Sequence, residues 1–188
     1  MSEFLGNNNP FYFEKDIKLL NGDILSLRNA ITADAETVVN FFKVTSDESD
    51  NLSFSSDEYF VTPYEEKIVI SNINRNSKTI MILGFIDEVL CCIAELNSSA
   101  ELRLSHNVEY SITVLKEFWG IGIGNAITKE IIEFAKEKNI KNIVLSVRRE
   151  NSAARVYEKK SVNLIAFYGN ITLIIGGDFL WAERKENH

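Results

Sequence analysis

Residues 114–126 read VLKEFWGIGIGNA, and three of the nine glycines of this 188-residue chain, Gly120, Gly122 and Gly124, lie within them. A stretch of alternating apolar and polar residues precedes the glycines and predicts a strand, and apolar residues at three- and four-residue steps follow and predict a helix. Glycine lets a backbone approach a ligand closely, and the first amides of a helix have no intrahelical partner. The stretch therefore predicts a phosphate-binding turn. A tight turn that binds nothing is the alternative.

Two familiar phosphate-binding motifs do not fit this stretch. A P-loop needs a Lys-Ser/Thr pair after its last glycine, where this chain has Asn125-Ala126. A dinucleotide-binding fold spaces its glycines two and then three apart after the first strand. Here the spacing is even and the glycines follow the fourth predicted strand, so both interpretations are improbable.

The composition excludes several classes of function. Twenty Lys and Arg against 27 Asp and Glu give a net charge of −7, which argues against sequence-independent binding to nucleic acid or to an anionic membrane. The chain is 45% hydrophobic and contains 12 Phe, as expected of a folded domain. No apolar run reaches the roughly 18 residues of a membrane span, and the polar N-terminus does not resemble a signal peptide. We therefore expect a cytoplasmic protein.

The cysteines and histidines are too few for several kinds of site. Cys91 and Cys92 are adjacent in a predicted strand, where neighbours point to opposite faces, so a disulfide between them is not expected. His106 and His188 are the only histidines, too few for a Cys/His zinc site. A hydrolase with a catalytic histidine would depend on His106 and is improbable. The sequence predicts no metal.

The pattern along the chain predicts one mixed α/β domain over residues 16–185, after a disordered or extended lead-in over residues 1–15. Thr32 is predicted to cap the first helix, and Thr62 with Pro63 to begin the second. The second helix is expected to bury Ile68, Val69 and Ile73. The predicted order is βααβββαβαββ, with strand–helix–strand crossovers in the second half. The predicted strands are 24–30, 79–86, 89–96, 108–114, 143–147, 162–167 and 171–181, and the last two helices are 123–139 and 151–160.

A polar, acidic loop is expected at residues 46–60, between the first two helices. Its carboxylates could attract a cationic amine, and a solvated loop explains them equally well. They are Asp47, Glu48, Asp50, Asp57 and Glu58.

Two separate stretches resemble the acyl-CoA motifs of the GCN5-related N-acetyltransferases, the GNAT family. In residues 114–126, Gly122 and Gly124 match the last two fixed positions of the pyrophosphate-binding motif, and Trp119 stands where the family has arginine or glutamine. Residues 145–159 resemble the strand end, the Asn-x-x-Ala helix and the Tyr-Glu-Lys that follow in the family. Ser161-Val162 replaces the usual Gly-Phe pair. The resemblance covers residues 24–181 and implies a mixed central sheet with splayed parallel strands and flanking helices.

The resemblance implies an acetyl-CoA-dependent N-acetyltransferase. Tyr157 corresponds to the general acid that protonates the CoA thiolate, as a neutral phenol can, although a tyrosine there can also be simple packing. Glu109 corresponds to a carboxylate that relays the amine proton; the alternative is a solvated carboxylate. The residues implied to bind acetyl-CoA are Ile112, Thr113, Val114, Trp119, Gly120, Ile121, Gly122, Ile123, Gly124, Asn125, Asn151 and Ala154.

The acceptor implied is a small-molecule or peptide amine, and a homodimer is possible because dimers are common in the family. Asn151 also suits the N-cap of its helix, and Ile112 and Val114 suit core packing. Two other functions stay open. One is a non-catalytic acyl-CoA-binding or sensor module on the same fold, and the other is a partner-binding domain with a vestigial pocket.

Overall fold

The computed structural model describes residues 13–48, 55–98, 107–140, 142–148, 163–167 and 170–175. Within these ranges lie eight strands and three α-helices. The strands are β1 (Glu14–Lys18), β2 (Ile24–Asn29), β3 (Ile80–Ile86), β4 (Val89–Ser98), β5 (Asn107–Val114), β6 (Asn142–Arg148), β7 (Asn163–Phe167) and β8 (Asn170–Ile175). The helices are α1 (Ala35–Glu48), α2 (Pro63–Arg75) and α3 (Ile123–Glu137).

The strands form one mixed sheet in the order β1-β2-β3-β4-β5-β6-β8-β7. Its neighbours are antiparallel except for β5 and β6, which are parallel and joined by the α3 crossover. Asp87 and Glu88 connect β3 to β4 with φ of 46° and 67°, the left-handed conformation that a two-residue hairpin requires. The mixed α/β fold class is therefore confirmed. The predicted helix at residues 151–160 lies outside the described residues.

Each face of the sheet has its own hydrophobic core. β3 shows the division, because Ile80 and Ile82 pack on the α3 side, whereas Met81 and Leu83 pack on the side of α1 and α2. Burial on both faces explains why β3 and β4 are almost continuously apolar. Cys91 and Cys92 are buried in this double-sided region and are both free thiols.

The start of α1 differs from the predicted one. A 3-10 turn over Thr32–Asp34 precedes the helix, and the carboxylate of Asp34 accepts the N–H of Ile31 at 2.8 Å. The cap position is Ile31 and Thr32 lies inside the turn, so the predicted cap was wrong because the helical turn begins one residue earlier than expected.

The end of α1 also differs, since the helix continues to Glu48 and the loop predicted from residue 46 begins later. The hydroxyls of Thr45 and Ser46 donate to the carbonyls of Phe41 and Lys43 at 3.0 and 2.8 Å. These bonds satisfy the two polar side chains within the helix. Polar composition alone therefore placed the helix end too early.

The predicted beginning of α2 is confirmed, but its buried side was predicted wrongly at two positions. Thr62 accepts the N–H of Glu65 as the N-cap, and Pro63 is the first helical residue. Ile68 and Val69 are 45% and 43% exposed. The buried residues are Glu66, Ile70 and Ile73. A carboxylate occupies one position of the buried side, which a count of apolar residues leaves out.

β1 was not predicted, and it pairs with β2 from Glu14 opposite Arg28 to Lys18 opposite Ile24. Most of its side chains are exposed, so its sequence lacks an apolar pattern. Across the described ranges, each helix is too short or too polar to cross a membrane.

Candidate functional site

The two parallel strands in the middle of the sheet separate partway along their length. β5 and β6 pair only from Asn107 opposite Asn142 to Glu109 opposite Val144, although both strands continue beyond these pairs. The other edge of β5 stays paired with β4 as far as Val114. The separation leaves backbone groups of β5 directed into a gap, where an extended ligand can take the place of a strand.

The glycine-rich turn lies at the end of β5 beside this gap. Gly120 and Gly122 have φ of 81° and 101°, and Gly122 is the N-cap of α3. The first helical hydrogen bond runs from Ala126 N to Gly122 O at 3.1 Å. A Cβ added at Gly120, Gly122 or Gly124 meets no atom within 4 Å. The predicted strand–turn–helix is therefore present, with open space around its glycines.

The N-terminus of α3 differs electrostatically from those of α1 and α2. Acidic residues lie in the first turns of α1 and α2, at Glu36 and at Glu65 and Glu66, where they offset the positive end of the helix dipole. The first turn of α3 has no acidic residue, and Gly122 supplies no capping side chain. The turn thus fits a phosphate-containing group in both space and charge.

Trp119 belongs to the internal hydrogen bonding of the turn. Its Nε1 donates to the carbonyl oxygen of Val114 at 2.7 Å, while the side chain remains 44% exposed. The bond links the glycine turn to the last residue of β5. An indole has no charge, so anion binding at this turn depends on the backbone amides rather than on a cationic side chain.

Hydrogen bonds fix the position of the turn on two sides. On the α3 side, the hydroxyls of Tyr110 and Thr128 are 3.0 Å apart, and Thr128 donates to Gly124 O at 2.5 Å. On the α1 side, the carboxylate of Glu48 accepts the N–H of Lys116 at 2.8 Å. Glu48, one of the acids predicted for the loop, is thus a structural partner of the turn.

Glu109 lies where β5 and β6 begin to separate. It is exposed and faces the α1–α2 side, opposite to the buried Val108 and Tyr110, so the predicted alternation of β5 is confirmed. Ser111 on the same face is exposed and Thr113 is half-buried. This part of the sheet is therefore open to solvent beside the gap.

Three residues next to this open face were not identified from the sequence: Tyr59, Glu66 and Glu95. Desolvation, and then the charge of Glu95, raise the pKa of Glu66 to about 7. Desolvation raises the pKa of Glu95, against the opposing effect of a hydrogen bond from Asn97. Desolvation followed by the charges of Glu66 and Glu95 raises the pKa of the Tyr59 phenol. Glu95 is the one charged residue in the mainly apolar strand β4, and this was the signal in the sequence that could have pointed to the cluster.

The remaining predicted site residues have two outcomes. Ile112, Val114, Ile121 and Ile123 pack against the core on the α3 side, so their side chains are structural while their backbone borders the gap or the turn. Asn151, Ala154 and Tyr157 lie outside the described residues. Within the described ranges, no group of three or more His, Cys, Asp or Glu side chains is arranged to hold a metal ion.

Comparison with known proteins gives a consistent result. The model of the acetyltransferase (GNAT) family matches residues 41–161. An acetyltransferase of the GNAT family from Streptococcus pneumoniae is 25% identical with a TM-score of 0.74, covering 81% of this chain and 99% of that one. PaiA N-acetyltransferase from Thermoplasma acidophilum, in complex with coenzyme A, is 18% identical with a TM-score of 0.66. The match covers 81% of this chain and 99% of that one. No curated protein matches significantly.

Proposed function

The chain belongs to the GNAT family of acetyltransferases, and we propose that it transfers an acetyl group from acetyl-CoA to a primary amine by direct attack in a ternary complex. The observation that carries the proposal is the separation of β5 and β6 after Glu109, next to a glycine turn whose helix end is open and lacks acidic residues. The gap suits an extended pantetheine arm, and the turn suits its pyrophosphate.

The binding residues follow from this placement. The backbone of Ile112, Thr113 and Val114 would pair with the pantetheine arm, and the amides from Gly120 to Asn125 would bind the pyrophosphate. Trp119 would hold the turn in shape through its bond to Val114. Asn151 and Ala154, which lie outside the described residues, would complete the site. The gap orients the thioester that acetyl-CoA supplies, and orientation alone contributes strongly to transfer.

The reaction needs one proton removed and one supplied. The acceptor nitrogen forms a bond to the acetyl carbonyl carbon as the bond from that carbon to sulfur breaks. Glu109, exposed where the strands part, would take the nitrogen's proton, directly or through water. Tyr157 would donate its phenolic proton to the departing sulfur.

Ligand binding and thiol release test the proposal separately. We expect acetyl-CoA and CoA at millimolar levels to raise the melting temperature, and free thiol to form when acetyl-CoA and an amine are mixed with the protein. Absence of any melting shift with either ligand would contradict an acyl-CoA site.

Tyr157→Phe distinguishes the enzyme from a non-catalytic acyl-CoA-binding module. In the enzyme the variant retains its affinity for CoA and loses about 100-fold or more in turnover, the usual contribution of an acid catalyst. Unchanged turnover would remove Tyr157 from the mechanism. A protein that binds CoA and acetylates no amine would instead be the binding module.

A further inference from the structure

We propose that Tyr59, Glu66 and Glu95 form a subsite for a second positive charge on the acceptor, so that the preferred acceptor is a diamine rather than a monoamine. The inference rests on the proposed acetyl transfer and adds the chemical class of the amine. It assigns a function to two carboxylates that the transfer step does not use.

Glu66 and Glu95 lie on the sides of α2 and of the sheet that pack against each other. Glu66 precedes Ile70 by four residues, and the two therefore share one side of α2. Ile70 packs with Met81 and Ile93 in the core on this side. Glu95 lies directly across from Met81 on β3 and two residues beyond Ile93, on the same face of the sheet. The helix thus directs Glu66 towards the part of the sheet that carries Glu95.

One carboxylate oxygen of Glu66 is a buried acceptor without a donor. Glu66 is 5% exposed, and its Oε1 has no hydrogen-bond partner. In the described part of the chain, neither Glu66 nor Glu95 forms an ion pair with Lys or Arg. A buried carboxylate without a partner costs free energy unless it is protonated or meets a cation. A cationic ligand supplies what the protein lacks here.

The subsite is reached from the open face of the sheet. Glu95 keeps partial exposure although it lies on a central strand, and its neighbour across β5 is the exposed Ser111. Glu95 is therefore the carboxylate that a ligand contacts, and Glu66 lies behind it as a second carboxylate. Tyr59 packs against Phe42 with ring centroids 5.7 Å apart and adds an aromatic wall and a phenolic oxygen beside the two carboxylates.

The chemistry favours an organic ammonium over a metal ion. Glu66 and Glu95 are only two carboxylates, and no group of three or more His, Cys, Asp or Glu side chains that could hold a metal ion lies in the described ranges. An aromatic ring beside carboxylates is suited to an alkylammonium, which brings both a charge and apolar methylenes.

The topology also sets the length of the acceptor. Glu95 is one strand away from Ser111, and the gap lies on the other side of β5. Strands lie about 4.8 Å apart, so the second charge sits roughly 5–10 Å from the nitrogen at the gap. About three to five methylene groups between two amines span such a distance, which favours 1,4-diaminobutane over n-butylamine.

The test compares n-butylamine with 1,4-diaminobutane as acceptors, using thiol release at saturating acetyl-CoA. For the unmodified protein we expect kcat/KM for the diamine to exceed that for the monoamine by about tenfold or more. Glu95→Gln should bring the ratio to about one, and Glu66→Gln should lower it several-fold. Both variants should leave kcat/KM for n-butylamine within about twofold of the value for the unmodified protein. Asp57→Asn, at an exposed acid of a neighbouring loop, is the matched control and should keep the preference.

A binding measurement makes the result independent of turnover. In the presence of CoA, 1,4-diaminobutane should raise the melting temperature more than n-butylamine does, and Glu95→Gln should abolish the difference. Equal shifts for both amines, or a diamine preference that survives Glu95→Gln, would overturn the subsite and leave acetyl transfer intact. Failure of CoA itself to bind would contradict the proposed function instead.

Discussion

At the scale of single residues, Gly122 and Gly124 meet different physical requirements within one turn. Gly122 has φ of 101°, a left-handed conformation that costs other residues energy. Gly124 has an ordinary backbone inside the first turn of α3, and its missing side chain leaves open space. The first glycine is needed for the shape of the chain, and the second leaves room beside the turn for the proposed ligand.

Alanine at each position separates these two requirements. Gly122→Ala should lower the free energy of unfolding by about 1–2 kcal/mol because of backbone strain. Gly124→Ala should leave stability unchanged or raise it by up to about 1 kcal/mol, since alanine favours the helix. It should nevertheless weaken CoA binding by about tenfold, because its methyl group occupies the phosphate space. Urea denaturation and CoA titration measure the two effects. Unchanged CoA affinity in Gly124→Ala would place the phosphates elsewhere.

Glu66 should make the folded protein less stable as the pH rises from 5 to 8. Burial and the charge of Glu95 raise the pKa of Glu66 to about 7. Between the ordinary pKa of a glutamate and about pH 7, Glu66 therefore keeps its proton in the folded state and has lost it in the unfolded chain. The free energy of unfolding therefore falls as the pH rises above the ordinary pKa of a glutamate, and it stops falling above about pH 7. Glu66→Gln should raise the free energy of unfolding by about 1–3 kcal/mol at pH 8 and change it little at pH 5, as measured by urea denaturation.

Glu65→Gln is the matched control for this pH dependence. Hydrogen bonds from Thr62 lower the pKa of the adjacent, exposed Glu65, so its stabilising effect is lost only as the pH falls through that lowered value. The slope between pH 5 and 8 should therefore persist in Glu65→Gln. If the slope of stability against pH persists undiminished in Glu66→Gln, the pH dependence arises from other groups, and Glu95 is the first of these to examine.

At the scale of elements, α2 determines the shape of the site through the side it turns to the sheet. Ile70 is fully buried, whereas Val69 is 43% exposed. Ile70→Ala should cost about 2–5 kcal/mol, because it leaves a cavity between α2 and the sheet. Val69→Ala should change stability by less than about 1 kcal/mol. Equal losses for the two variants would mean that the helix is rotated from the orientation described above.

The same helix explains how far the sequence could predict this fold. Thr62, Pro63 and Glu65 act locally, and local chemistry correctly predicted the beginning of α2. The buried side of α2 depends on which of its residues contact the sheet, and at one of these positions the chain has Glu66 instead of an apolar residue. The glycine turn was predictable because strand, turn and helix are adjacent in the chain. The cluster of Tyr59, Glu66 and Glu95 was not, since its members come from a loop, a helix and a strand that only the tertiary fold brings together.

At the scale of the whole molecule, an ion pair joins the edge of the sheet to the central crossover helix. Lys15 on β1 contacts both carboxylate oxygens of Glu130 on α3, at 2.8 and 2.9 Å. Glu130 is 7% exposed, whereas Lys15 is 49% exposed. The buried member therefore depends on a partner from β1, a strand that is itself mostly exposed and has little apolar burial of its own.

Removing this lysine should affect more than the edge strand. Lys15→Met leaves the buried carboxylate of Glu130 without its cation, which should lower the free energy of unfolding by about 2–4 kcal/mol. Lys18→Met, at an exposed position of the same strand, is the matched variant and should change it by less than about 0.5 kcal/mol. Because Glu130 lies on α3, we also expect Lys15→Met to weaken CoA binding through the turn that begins that helix. Loss of β1 protection from hydrogen exchange without any change in overall stability would instead show that β1 unfolds independently of the crossover helix.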